Sequence, residues 1–152
     1  MRGRWVAILL SVALAVGVVW QVQRSAERRL ASRLLARVEA ISLQLVAARQ
    51  APRQILQRNL RDLRRAEELD PVESGIPLAL GSQYLLLNRP QAAEQAYRDA
   101  LAVEPRPEIY LNLGKAQSLA GKDEEARQSF DKAVALDWQF EEQIPPSMSW
   151  KE

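Results

Sequence analysis

Protein catalysis, metal binding and redox chemistry draw mostly on His, Cys, Asp and Glu, and this 152-residue chain has no His and no Cys. Thiol nucleophiles, disulfides, imidazole acid–base pairs and nearly every zinc site are thereby excluded. The carboxylates remain. Their adjacent pairs, Glu67-Glu68, Glu124-Glu125 and Glu141-Glu142, stand at i, i+1. On a helix that spacing faces no common site, so they read as solvated faces. The glycines at 3, 17, 75, 81, 114 and 121 make neither a phosphate-cradling loop nor a dinucleotide turn. The sequence therefore predicts no catalytic residue, no metal site and no cofactor, and the chain reads as a non-enzyme.

What the charges can do is bind. Residues 1–65 hold thirteen Arg against three acids, Glu27, Glu39 and Asp62, a net of +10; residues 66–152 hold eight bases against sixteen acids, a net of −8. A basic half beside an acidic half points to two environments or two partners. Nucleic acid is not the expected one, because no aromatic residue is interleaved with the arginines of 24–65. Ala, Leu, Arg, Gln and Glu dominate the composition, and all favour helices, so the expected fold class is all-α.

The basic half opens on an apolar run at the N-terminus. Trp5 to Trp20 reads WVAILLSVALAVGVVW, sixteen residues with Ser11 as the one polar member. At about 1.5 Å per residue the run is near 24 Å, slightly short of a ~30 Å hydrocarbon core. A Trp at each end suits the headgroup level, and the flanking Arg2, Arg4, Arg24, Arg28 and Arg29 can snorkel outward. Residues 1–23 are read as a single-pass transmembrane signal-anchor, and 24–39 as a basic juxtamembrane helix able to meet anionic headgroups. Two other readings compete. One is a cleaved secretory signal with Ala13-Leu14-Ala15 as its small-x-small site, although that site lies inside the apolar run. The other is a core helix of a soluble fold. No Gly or Pro interrupts the chain from Arg24 to Pro52, so one helix is expected to run on to about Gln50. Leu34, Val38, Ile41 and Leu45 form a stripe expected to pack on the next helix. Topology signals oppose each other: the Arg-rich flank after Trp20 favours a cytoplasmic array, while a short N-tail with two arginines resists translocation. The 17 Arg against 4 Lys suggest a GC-rich bacterial genome, hence a bacterial cytoplasmic (inner) membrane.

Self-comparison shows a repeat. Gly81 and Gly114, Ala93 and Ala126, Tyr97 and Phe130, and Ala100 and Ala133 are each 33 residues apart. Leu63, Ala66 and Pro71 lie 34 before Tyr97, Ala100 and Pro105. One unit reads Pro77-x2-Leu80-Gly81-x2-Tyr84, then Ala93-x3-Tyr97, Ala100 and Pro105. The next reads Tyr110-x2-Leu113-Gly114-x2-Gln117, then Ala126-x3-Phe130, Ala133 and Trp138. A degenerate unit precedes both, as Leu43-x2-Val46-Ala47-x2-Gln50, then Asn59-x3-Leu63, Ala66 and Pro71. These residues resemble the tetratricopeptide repeat. Units of 40–73, 74–106 and 107–138 are expected, which makes a short α-solenoid of about three helix pairs.

The resemblance implies a concave surface lined by the first helix of each pair. Its matching positions here are Leu78, Ser82 and Leu85, then Leu111, Lys115 and Ser118, with Asn112 beside them. Such a surface suits a peptide or helical segment of a partner protein. It lacks the arrayed Lys, Arg and Asn of a carboxylate clamp. The implied function is a membrane-anchored interaction scaffold or assembly factor, possessing a bilayer contact through residues 5–20. A secreted or periplasmic chaperone-like helper is the alternative if the signal is cleaved. In the tail, 139–152, Pro145-Pro146 bars a continuous helix. Trp138 and Phe140 are expected to extend the last helix toward Phe130 and Val134. Met148 and Trp150 are expected either to fold back or to be offered to a partner.

Overall fold

Left-handed backbone closes the first helix of each pair, at Arg49 (φ 51°) and then at two residues one repeat apart. Asn88 (φ 55°) and Gly121 (φ 76°) stand 33 residues apart, each just past the end of a helix. Behind them the Arg89 amide donates to the Tyr84 carbonyl and the Lys122 amide to the Gln117 carbonyl, both at 2.9 Å. This is the helix-terminating turn that asks for Gly or Asn at its left-handed residue. Prolines restart the chain, with Pro90 and Pro107 in the first turns of the helices they open.

The computed structural model describes residues 2–49 and 52–148, with side chains from Leu10 onward. The described residues hold six α-helices: α1 (Arg2–Ala47), α2 (Arg53–Leu69), α3 (Gly75–Leu86), α4 (Pro90–Val103), α5 (Pro107–Leu119) and α6 (Asp123–Leu136). Two 3₁₀ segments follow, Trp138–Gln143 and Pro146–Met148. Consecutive helices pack as antiparallel pairs, α1 with α2, α3 with α4 and α5 with α6, and the pairs stack in order. No pair could bury its apolar face alone, so stacking is what makes the core.

Three clusters share that core. Ala31, Val38, Leu63, Ala66, Ile76 and Leu80 join α1, α2 and α3. Ala93, Tyr97, Ala100, Ile109 and Leu113 join α4 and α5. Leu111, Ala126, Phe130, Ala133, Ile144 and Met148 join the last pair to the tail. Small residues recur where helices cross: an added Cβ on Gly81 would stand 2.5 Å from the Tyr97 ring, and on Gly114 2.6 Å from the Phe130 ring. Between the second and third pairs a buried carboxylate adds a polar tie, Glu94 accepting from Lys122 at 3.0 Å and pairing with Arg98 at 2.6 Å.

Helix α1 runs unbroken for 46 residues, about 69 Å. The stripe does pack: Val38 and Leu45 are buried, Leu34 and Ile41 half-buried. Packing starts earlier than the first repeat unit read from the sequence, because Ala31 is already fully buried. Further toward the N-terminus, from Leu10 to Val22, the apolar side chains are exposed. Among the described residues no helix is long and apolar enough to cross a membrane. The run read as an anchor also includes Trp5–Leu9, and the side chains of Arg2, Arg4 and Trp5 lie outside those described.

The tail folds back. Ile144 and Met148 are buried against the last pair and Phe140 is half-buried beside Val134. Trp138 departs from the expectation and is 71% exposed. The cause is Asp137, which leaves the helix at φ −152° and caps the Gln139 amide with its own carboxylate at 3.0 Å. Trp138 is thereby turned away from α6. Trp150 lies outside the described residues.

Candidate functional site: a groove between α1, α3 and α5

The first helices of the three pairs leave a groove of about 800 Å³ between them. Its α1 wall is Val38, Ser42, Leu43 and Val46, with Glu39 at the edge. The α3 wall is Leu78, Ala79, Ser82, Leu85 and Leu86, and Tyr97 reaches in from α4. Asn112 and Lys115 close the α5 side.

Helical spacing explains the α3 wall. Leu78, Ser82 and Leu85 recur at four and three, so they share one stripe, while Leu80 turns toward the interior and Gln83, though buried, borders the groove beside Ser42. Tyr97 lies beneath the stripe because Gly81 leaves room for its ring. Its hydroxyl sits 3.3 Å from the Ser82 hydroxyl, and burial pushes its pKa up to about 12 against that hydrogen bond.

A buried polar chain fixes the α1 wall against the rest. Asn59 Nδ2 donates to Gln83 Oε1 at 3.0 Å, Gln83 Nε2 donates to Ser42 Oγ at 2.9 Å, and Ser42 Oγ donates to the Val38 carbonyl at 2.7 Å. Two of these bonds join three helices, α2 to α3 and α3 to α1, and the third holds the Ser42 hydroxyl on α1; such partly or fully buried bonds define geometry.

The groove is mainly apolar, with one cation, Lys115, on its α5 side and one carboxylate, Glu39, on its α1 side. Lys115 is half-buried, and burial lowers its pKa from the ordinary lysine value. No ion pair or hydrogen bond engages its ammonium group among the described residues.

Of the predicted lining residues, Leu78, Ser82, Leu85, Asn112 and Lys115 do meet in the groove. Leu111 does not. It is 3% exposed and shares a cluster with Ala126, Phe130, Ile144 and Met148. The folded-back tail claims the position that Leu78 leaves open in the preceding pair. Ser118 is half-buried near the end of α5 and lines no part of the groove. The flanking Arg24, Arg28 and Arg29 are exposed on α1, remote in sequence from the groove wall that begins at Val38. Sequence reasoning missed the α1 wall and Tyr97. The apolar spacing of α1 is visible in the sequence, but a stripe of that kind signals packing and not a groove wall.

Comparison with known proteins agrees with this architecture. Residues 107–137, which span α5 and α6, match the tetratricopeptide repeat family. The first TPR domain of human RPAP3 superposes with a TM-score of 0.63 at 19% identity, over 72% of this chain and 80% of that one. A thermophilic TPR protein of Thermus thermophilus superposes with a TM-score of 0.61 at 27% identity, over 83% of this chain and 69% of that one. No curated protein matches in sequence. The chain thus has the tetratricopeptide-repeat fold, an all-α helical solenoid, and its third helix pair carries the repeat in its sequence.

Proposed function

We propose that the protein is a non-catalytic, membrane-anchored scaffold that seats a peptide or helical segment of a partner protein in the groove between α1, α3 and α5. The groove carries this reading. Its walls leave Leu43, Val46 and Leu86 in water, and covering such surface gains roughly 25 cal/mol per Å². A groove of this size admits several side chains of a partner.

The anchor rests on the sequence and on one feature of α1. Residues 5–20 form an apolar run bounded by Trp5 and Trp20 and flanked by arginines. The described part of that run, from Leu10, is exposed and is covered by no part of the array. A single pass through a bacterial cytoplasmic membrane, with the array as part of a membrane-protein complex, fits both observations. Alkaline carbonate extraction tests the anchor: the protein stays with the membrane pellet and keeps its first fifteen residues. A protein washed free, starting near Val16, would make it a secreted repeat protein instead.

A further inference from the structure

The basic flank of the apolar run is held by the same rigid helix that forms the first wall of the groove. Resting on the anchored reading above, we propose that Arg24, Arg28 and Arg29 form a collar that binds anionic phospholipid headgroups. Helix α1 is continuous from Arg2 to Ala47, so heights along it follow from its rise. Arg24 stands about 6 Å and Arg28 and Arg29 about 12–14 Å beyond Trp20, while Arg33 stands about 20 Å beyond. The headgroup layer extends about 5–7 Å from the hydrocarbon edge. A further Debye length of about 8–10 Å carries its field to about 13–17 Å. Arg24, Arg28 and Arg29 fall inside that limit, and Arg33 falls outside it. Arg37 is higher still and is paired with Asp62 at 3.9 Å.

Direction supports the distance. Side chains on a helix lean toward its N-terminus, which here is toward the bilayer. Arg24 does so visibly, its guanidinium lying 5.7 Å from the centre of the Trp20 ring. All three arginines are exposed. Against them stand Glu27 on the same helix and Asp70, whose carboxylate is 4.0 Å from Arg28. Arg24 and Arg29 have no carboxylate within ion-pair distance among the described residues. A positive excess therefore remains at headgroup height. Guanidinium groups recognise phosphate by paired N–H donors, so the fitting partner is an anionic phospholipid rather than a zwitterionic one.

The chain has no native cysteine, so one label can be placed at will. The full chain carrying Ser32→Cys with a fluorescent donor is reconstituted in vesicles of phosphatidylcholine and phosphatidylglycerol. The acceptor dye is placed on one lipid or the other. The collar predicts at least twofold stronger transfer to acceptor-labelled phosphatidylglycerol than to acceptor-labelled phosphatidylcholine. That preference should vanish when Arg24→Gln, Arg28→Gln and Arg29→Gln are combined. Equal transfer to both lipids, or a preference that survives the triple change, overturns the collar. A donor at Val16→Cys separates this from the anchor: strong transfer there with no lipid preference at Ser32→Cys sinks the collar alone. No transfer from either position sinks the anchored reading and the collar with it.

Discussion

The Tyr97 ring occupies the space into which a side chain on Gly81 would grow, with Cε1 only 2.5 Å from where the Cβ would stand. The same relation recurs 33 residues later between Phe130 and Gly114. Each pair sets the closest approach of two helices in its unit. Gly81→Ala and Gly114→Ala should each cost about 1–3 kcal/mol by overpacking. Thermal melting should fall by about 2–4 °C per kcal/mol in a chain of this size. In a Tyr97→Leu background the Gly81→Ala cost should shrink, because the clash partner is gone. Unchanged melting of both single variants would contradict the assigned register.

Tyr97 also makes stability depend on alkaline pH. Burial raises its pKa to about 12 in the folded chain, above the ordinary value of 10. Below pH 10 both states keep the proton and the full stability is present. Between pH 10 and 12 the unfolded chain loses its proton first, so stability falls with rising pH, by at most about 1.4 kcal/mol per unit. Tyr97→Phe should remove that part of the slope in urea titrations compared across this range. An identical slope in both proteins would refute the assignment.

Glu94 is 2% exposed and receives Lys122 from the turn between α5 and α6. Removing it by Glu94→Ala strips Arg98 and Lys122 of their shared partner and opens a small void. A loss of about 1–3 kcal/mol is expected. Lys122→Met leaves the buried carboxylate with Arg98 alone and should also destabilise, but by less. Chemical denaturation of the two variants checks the order.

The tail acts as the lid of the last pair. Ile144→Ala should cost about 2–4 kcal/mol, as for other buried aliphatic truncations. Trp138→Ala, at an exposed site, should lie within about 0.5 kcal/mol of the parent. If the two costs were reversed, the tail would pack differently from the arrangement described.

Much of this architecture was readable from spacing alone, because each repeat position states its own packing role. A Gly facing an aromatic sixteen residues later, and a left-handed Asn or Gly closing the first helix, are local signals. Leu111 and Trp138 were not readable in that way. The repeat assigns Leu111 to the groove, but its surroundings depend on a tail that belongs to no repeat. Trp138 follows a helix that should have continued by propensity and was stopped by an Asp137 side chain capping the next turn. The α1 wall escaped for a third reason. Val38 is buried in the core yet borders the groove, and a single apolar stripe cannot announce that its edge serves a second purpose.

The groove is tested most directly by photo-crosslinking from single positions in intact cells. A photoreactive amino acid at Leu43, Leu85 or Lys115 should capture one common partner, and Leu78→Asp should abolish that capture without altering the membrane fraction. The same probe at Arg61 on the outer face of α2 should capture nothing comparable. Capture of that partner from Arg61 as strongly as from Leu85, or capture that survives Leu78→Asp, would contradict the groove as the binding site.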